Sequence, residues 1–157
     1  MTPGSLLYLS RRDVEATQLP MREIIEALEG MFREKGNGKV EMPPKPGIHP
    51  RPDSFIHAMP AYIPSAQAAG IKWVAGYPGN QAKGLPYISG LLILNDPDTG
   101  IPLVVMDCTW ITAQRTGAAT AVAVKYLSPE SASSIGIYGA GAIAAGQLEG
   151  VCAVRPI

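Results

Sequence analysis

Residues Ser134-Ile135-Gly136-Ile137-Tyr138-Gly139-Ala140-Gly141-Ala142-Ile143-Ala144 read as an apolar strand running into a G-x-G-x-x-A turn, and the apolar residues 145–154 that follow read as a helix. Strand, glycine turn and helix in that order form the opening βα unit of a dinucleotide-binding domain, with the diphosphate resting on the helix N-terminus. Gly139, Gly141, Ala142 and Ile143 are therefore the cofactor-binding candidates of this segment. The acidic residue that grips the adenosine ribose lies about 20 residues past the glycines. The sequence ends at Ile157, before a second strand, so half a cofactor site is expected.

Working back from that motif, residues 1–130 are expected to form a domain of their own, and 131–157 the start of the nucleotide-binding domain. Lys+Arg and Asp+Glu balance at 13 each, which leaves no field to draw in nucleic acid or an anionic membrane. The longest apolar helix candidate, 110–127, carries Arg115 and Lys125, charges that a membrane span excludes. No basic-apolar-small signal pattern opens the chain. Cys108 and Cys152 form neither a C-x-x-C nor a disulfide framework, which fits a reducing cytoplasm.

Ser10 and Asp13 read as a capping box opening a short helix, and Pro20 suits the first turn of a second. In that second helix Ile24, Leu28, Met31 and Phe32 fall on one face, and Gly36-Asn37-Gly38 ends it. Pro43, Pro44, Pro46, Pro50 and Pro52 stiffen an extended connection. Strands are expected at 54–59, 70–77, 87–95 and 101–107, the last two joined as a hairpin through Asp96-Pro97-Asp98-Thr99-Gly100. Thr109 is expected to cap a long helix through Leu127. Gly117, Ala118, Ala119, Thr120, Ala121 and Ala123 leave that helix with little side-chain bulk, so something approaches its backbone. Either plain helix-on-sheet or helix-on-helix packing fills that space, or the diphosphate or nicotinamide edge lies near Thr116 and Gly117. The fold class is α/β: an α+β domain with an antiparallel sheet, then the first βα unit of a Rossmann domain.

Several motifs now carry a resemblance. K-x-x-x-x-Y-P-x-N-x-x-x-G-L-P over 72–86, Pro102-Leu103 and Met106-Asp107 after the Asp96 turn, Thr112-Ala113-x-Arg115-Thr116-Gly117-Ala118-Ala119, Lys125-Tyr126-Leu127 and Gly139-Ala140-Gly141 together resemble the ornithine cyclodeaminase/mu-crystallin family, from about residue 6 to 157. The resemblance covers only the first half of a family member. It implies a substrate domain whose antiparallel sheet also forms a homodimer, a Rossmann domain for NAD or NADP, and hydride transfer at the α-carbon of a small amino or imino acid. An α-amino acid held by its carboxylate presents its Cα hydrogen in fixed geometry, and paired cations from different elements give that fixity. Lys72 and Arg115 match the family's carboxylate-binding positions, with Met59 and Lys45 as further substrate contacts and Lys72 and His57 as the catalytic candidates.

Two departures stand out. Where the family often has an arginine as a third carboxylate contact, this chain offers Lys45 or, less well placed, Arg51; a lysine supplies charge without the bidentate fork. Two positions before Met59, ornithine cyclodeaminases resemble one another in carrying a glutamate for the substrate's side-chain amine, and this chain has His57. An imidazole does not attract an ammonium as a carboxylate does, so ornithine is a poor candidate substrate. A core or interface histidine is the alternative for His57, and a solvated one is the expectation for His49. The family's catalytic aspartate comes from beyond position 157, so the 157 residues alone are expected to be inactive. A non-catalytic ligand-binding protein like mu-crystallin, or a dimerising fragment, are the alternative functions. The strand at 135–138 is expected to be poorly anchored unless something pairs with it.

Overall fold

The computed structural model describes residues 5–157; residues 1–4 of the expected first domain lie outside the described residues. The elements are β1 (Leu7–Leu9), α1 (Arg11–Glu15), α2 (Met21–Gly36), β2 (Gly47–Ile48), β3 (Phe55–Ile63), β4 (Ala68–Gly76), β5 (Ile88–Asn95), β6 (Pro102–Asp107), α3 (Thr109–Leu127) and α4 (Ala144–Val154). Packing divides the chain into two compact units, residues 5–16 with 34–109 and Thr17–Arg33 with Trp110–Ile157. That division follows packing, so most of α2 groups with the C-terminal helices.

The first unit is a six-stranded mixed sheet in the order β1-β6-β5-β4-β3-β2, antiparallel except for the parallel pair β1–β6. Alternation of side chains across the sheet buries Val74 and Val104 together with Cys108 and with Val14 of α1. Ser10 opens α1 with the expected capping box: its Oγ accepts from the Asp13 amide at 3.3 Å while the Ser10 amide donates to Asp13 Oδ2 at 2.8 Å. The hairpin joining β5 and β6 is built around Asp96, whose Oδ1 accepts from the amides of Asp98 (2.8 Å) and Thr99 (3.0 Å). Gly100 turns the chain there at φ +73°, a left-handed conformation that glycine adopts without a Cβ clash.

β3 runs past its expected end at Met59, straight through Pro60, to Ile63. The amides of Ala58 and Tyr62 donate outward, to Pro46 and Glu41, on the side away from β4. Pro60 lies between them with the same orientation, so its missing N–H removes nothing from the β3–β4 ladder.

The second unit is helical. Met21 and Ile25 of α2 pack on Ala118, Ala121 and Val122 of α3, with Ile24, Leu28, Ala153 and Val154 around them. Phe32, expected on the same face, is 41% exposed, because this core takes in only the first turns of α2. α3 has the expected limits, but its first amide is served differently from the expected cap. Asp107 accepts from the Thr109 amide at 2.8 Å and from its hydroxyl at 3.1 Å, so Asp107 is the acceptor and Thr109 the donor.

The small-residue stripe of α3 is filled by α4. A Cβ on Gly117 would lie 2.1 Å from the Gly146 carbonyl oxygen, and one on Gly150 would lie 2.6 Å from that of Gly117. Backbone approaches backbone here, and only glycine leaves room. At the other end of α3, Arg155 donates from Nη2 to the carbonyls of Val124 (3.1 Å), Lys125 (2.8 Å) and Ser128 (3.0 Å). A cation thus reaches the carbonyl end of the helix, adding a donor to the Val124 carbonyl that already accepts from the Ser128 amide at 3.1 Å. Glu29 of α2 reaches the same end, pairing with Lys125 Nζ at 2.7 Å and with the Tyr126 hydroxyl.

Residues 135–138, expected as a strand, are not one. A strand exists by pairing, and no described strand lies alongside to accept its amides. Ile135, Ile137 and Tyr138 are exposed as a result. The helix that follows them is nonetheless seated, through its glycines on α3.

Candidate functional site

Lys72 sits mid-strand in β4, opposite Met59 of β3 on one side and Leu92 of β5 on the other, and Leu92 faces Met106 of β6. Residues opposite each other on paired strands project from the same face, so these four form one row across the sheet. Lys72 is half-buried there. Its cross-strand neighbours Met59 and Leu92 are both apolar.

His57 begins the neighbouring row, opposite Val74 of β4 and, across the other edge, Gly47 of β2. A Cβ on Gly47 would stand 2.3 Å from His57 Cδ2, so the imidazole fills the space that this glycine leaves. The ring stacks on Phe55 with centroids 4.3 Å apart and planes inclined by 20°. His49 meets it edge-on at 6.2 Å. Partial burial holds the His57 imidazole below its usual pKa, and the Lys45 and His49 charges push it further the same way. Lys45 is exposed just before β2, where the Pro46 carbonyl accepts from the Ala58 amide at 3.0 Å.

Arg115 and Thr116 belong to the second unit, on α3. Arg115 is exposed. The Thr116 hydroxyl donates to the Thr112 carbonyl at 2.7 Å, an i to i−4 bond within the helix. The close approach expected near Thr116 and Gly117 is made by the backbone of α4.

The glycine turn leads into α4. Gly139 has φ +93°, and around Gly139 and Gly141 there is open space where a Cβ would stand. Ile143 precedes the helix and gives its first turn no side-chain cap, while Ala142 and Ile143 are exposed. Uncapped amides beside bare glycine backbone are the chemistry that suits a diphosphate. Among the described residues no group of three His, Cys, Asp or Glu could hold a metal ion.

Lys45, His57, Met59 and Lys72 thus fall in the sheet unit, and Arg115, Thr116, Gly139, Gly141, Ala142 and Ile143 in the helical one. His49, expected in solvent, is exposed but in ring contact with His57. Phe55, which supports the His57 ring, was not singled out by sequence. The available signal was the alternation Lys45-x-Gly47-x-His49, which turns three positions to the same side of an extended segment.

The profile of the ornithine cyclodeaminase/mu-crystallin family matches residues 6–157. A nodulation efficiency protein of Rhizobium meliloti is 52% identical over 85% of this chain and 42% of its own length. The Thermococcus litoralis Delta(1)-pyrroline-2-carboxylate reductase, solved with NADH and L-proline, superposes with a TM-score of 0.91 at 45% identity, over 96% of this chain and 46% of that one. An archaeal alanine dehydrogenase dimer with bound NAD gives a TM-score of 0.91 at 43% identity, over 97% of this chain and 46% of that one. The chain spans less than half the length of these proteins.

Proposed function

The chain belongs to the ornithine cyclodeaminase/mu-crystallin family, and from that premise we propose that it supplies the substrate-carboxylate site and the first turn of the nucleotide site of an NAD- or NADP-dependent oxidoreductase acting at the α-carbon of a small amino or imino acid. In this reading residues 1–130 are the substrate-binding and dimerisation domain and 131–157 begin the nucleotide-binding domain. The observation that carries it is the half-buried Lys72, held between Met59 and Leu92 in a sheet similar to that of the pyrroline-carboxylate reductase.

Lys72 in the sheet unit and Arg115 in the helical unit are each assigned to carboxylate binding, with Lys45 adding positive charge at the sheet edge. Met59 packs against the substrate's carbon skeleton. His57, kept toward its neutral form, is able to take a proton from the substrate nitrogen or return one. Gly139, Gly141, Ala142, Ile143 and Thr116 are the residues that would hold the dinucleotide, which when bound exchanges a hydride with the substrate α-carbon. Because the relatives are more than twice as long, residues 1–157 alone are assigned binding without turnover.

A homodimer through the sheet is part of this reading. On the face opposite Lys72, Trp73 lies against Leu91, with Tyr8 beyond them, and these three are 46%, 40% and 66% exposed. An apolar surface of that kind favours burial against a second copy.

Titration with NADH and NADPH followed by nicotinamide fluorescence tests the nucleotide half. Enhancement with one of them is expected, and Gly139→Val should remove it by forbidding φ +93°. No enhancement with either would sink the assignment of residues 139–143.

A further inference from the structure

α3 carries four threonines, and three of them engage their hydroxyls inside the chain. Thr109 donates to Asp107 at 3.1 Å, Thr116 to the Thr112 carbonyl at 2.7 Å and Thr120 to the Thr116 carbonyl at 3.2 Å. The fourth, Thr112, is 9% exposed, and its Oγ1 is closed to solvent without a hydrogen-bond partner. Among the described residues no other buried side-chain nitrogen or oxygen is left in that state. Ser54, the other buried polar residue, shows the usual arrangement: its hydroxyl accepts from the Arg51 amide at 2.9 Å and donates to the Arg51 carbonyl at 2.8 Å.

A hydroxyl buried without a partner has lost the bonds it makes to water in the unfolded chain, a cost that native structures ordinarily avoid. The helix itself offers relief, since a threonine can donate to the carbonyl four residues earlier, as Thr116 and Thr120 do. Thr112 does not take it. Arg115 and Thr116 stand three and four positions further on, the spacing that sets residues side by side on a helix. A carboxylate held by Arg115 has more acceptor sites than one guanidinium edge fills, and a hydroxyl one turn away adds a charge-assisted bond. Because Oγ1 is covered while the residue keeps 9% exposure, the open part of Thr112 belongs to its other atoms. Rotation about χ1 exchanges the hydroxyl with the methyl group and leaves the backbone in place.

We propose that the Thr112 hydroxyl is a substrate-binding group, left without a partner in the free chain and donating to the carboxylate that Arg115 holds. This rests on the assignment of Arg115 to carboxylate binding. Binding relieves a cost built into the free fold, so stability and affinity are opposed at this position. Valine, which has the shape of threonine without the hydroxyl, separates the two.

The probes are cyclopentanecarboxylate and its uncharged amide, cyclopentanecarboxamide, titrated into the whole 157-residue chain by calorimetry, with urea midpoints measured in their absence. Thr112→Val should unfold at the same urea concentration as the unchanged chain or a higher one, and its affinity for the carboxylate should fall about tenfold. Binding of the amide should not change, and Thr112→Ser should restore the preference for the carboxylate. A lower urea midpoint for Thr112→Val would overturn the proposal, because the hydroxyl would then already serve the fold. Undiminished carboxylate affinity in folded Thr112→Val would overturn it as well. Arg115→Met separates the proposal from its premise. Retained affinity in Arg115→Met, with the loss in Thr112→Val, removes the role of Arg115 and keeps the hydroxyl; the reverse pattern keeps Arg115 and removes Thr112. No saturable binding of the carboxylate by the unchanged chain would overturn both.

Discussion

His57 takes up a proton reluctantly in the folded chain, because burial and the neighbouring Lys45 and His49 disfavour the imidazolium. In the unfolded chain the same imidazole titrates near 6.5. Its folded pKa is the lower of the two, so the unfolded state binds the extra proton first as pH falls. The contribution to stability is fully present above about 6.5 and is lost as pH drops through the folded value. Urea midpoints should therefore fall between pH 7.5 and pH 5.5, and His57→Gln should reduce that drop; an equal drop in the variant would remove His57 as its source. A second residue-scale expectation concerns Gly117, where an added methyl would stand 2.1 Å from the Gly146 carbonyl. Gly117→Ala should cost about 1–3 kcal/mol by forcing the helices apart, read as a lower urea midpoint. At this scale Lys72 was legible, since a lysine between Ile71 and Trp73 in an apolar run is conspicuous. The His49–His57 contact was not, because it is created by the β2–β3 register, which pairs residues across a proline-rich loop.

Helices announced themselves through local chemistry, and so their limits could be read: Ser10 and Asp13 cap α1, and α3 begins and ends where its sequence says. The strand at 135–138 could not be judged that way. Its apolar pattern is a statement about neighbours, and a strand is made by them. Arg155 escaped notice for the related reason that its acceptors, at Val124, Lys125 and Ser128, are about 30 positions away. Removing it leaves those carbonyls without a cation at the α3 terminus. Arg155→Met should destabilise the helical unit by about 1–2 kcal/mol, with Arg155→Lys recovering part of the loss. Thermal unfolding followed by circular dichroism measures both, and a neutral Arg155→Met would show that water serves the helix end equally well.

For the whole molecule the apolar face bearing Trp73, Leu91 and Tyr8 makes association the expected state. Sedimentation should give a mass near twice 16.6 kDa. Trp73→Glu should return it to 16.6 kDa, because an unpaired carboxylate at the centre of an apolar interface is costly. A wild-type monomer at tens of micromolar would dispose of the sheet-to-sheet dimer. No described helix is long and apolar enough to cross a membrane.

The parallel pairing of β1 with β6 joins Leu7 to Val104. While the hairpins β3–β4 and β4–β5 close as soon as they are made, β1 waits for a partner nearly a hundred residues later. At roughly 5–20 residues per second of synthesis, Leu7 and Tyr8 are made about 5–20 s before Val104 exists. During that interval they form an apolar, unclaimed segment that nascent-chain chaperones can hold. Of the described strands the first to be made is the last to be seated, so its docking marks the moment at which all six lie in place.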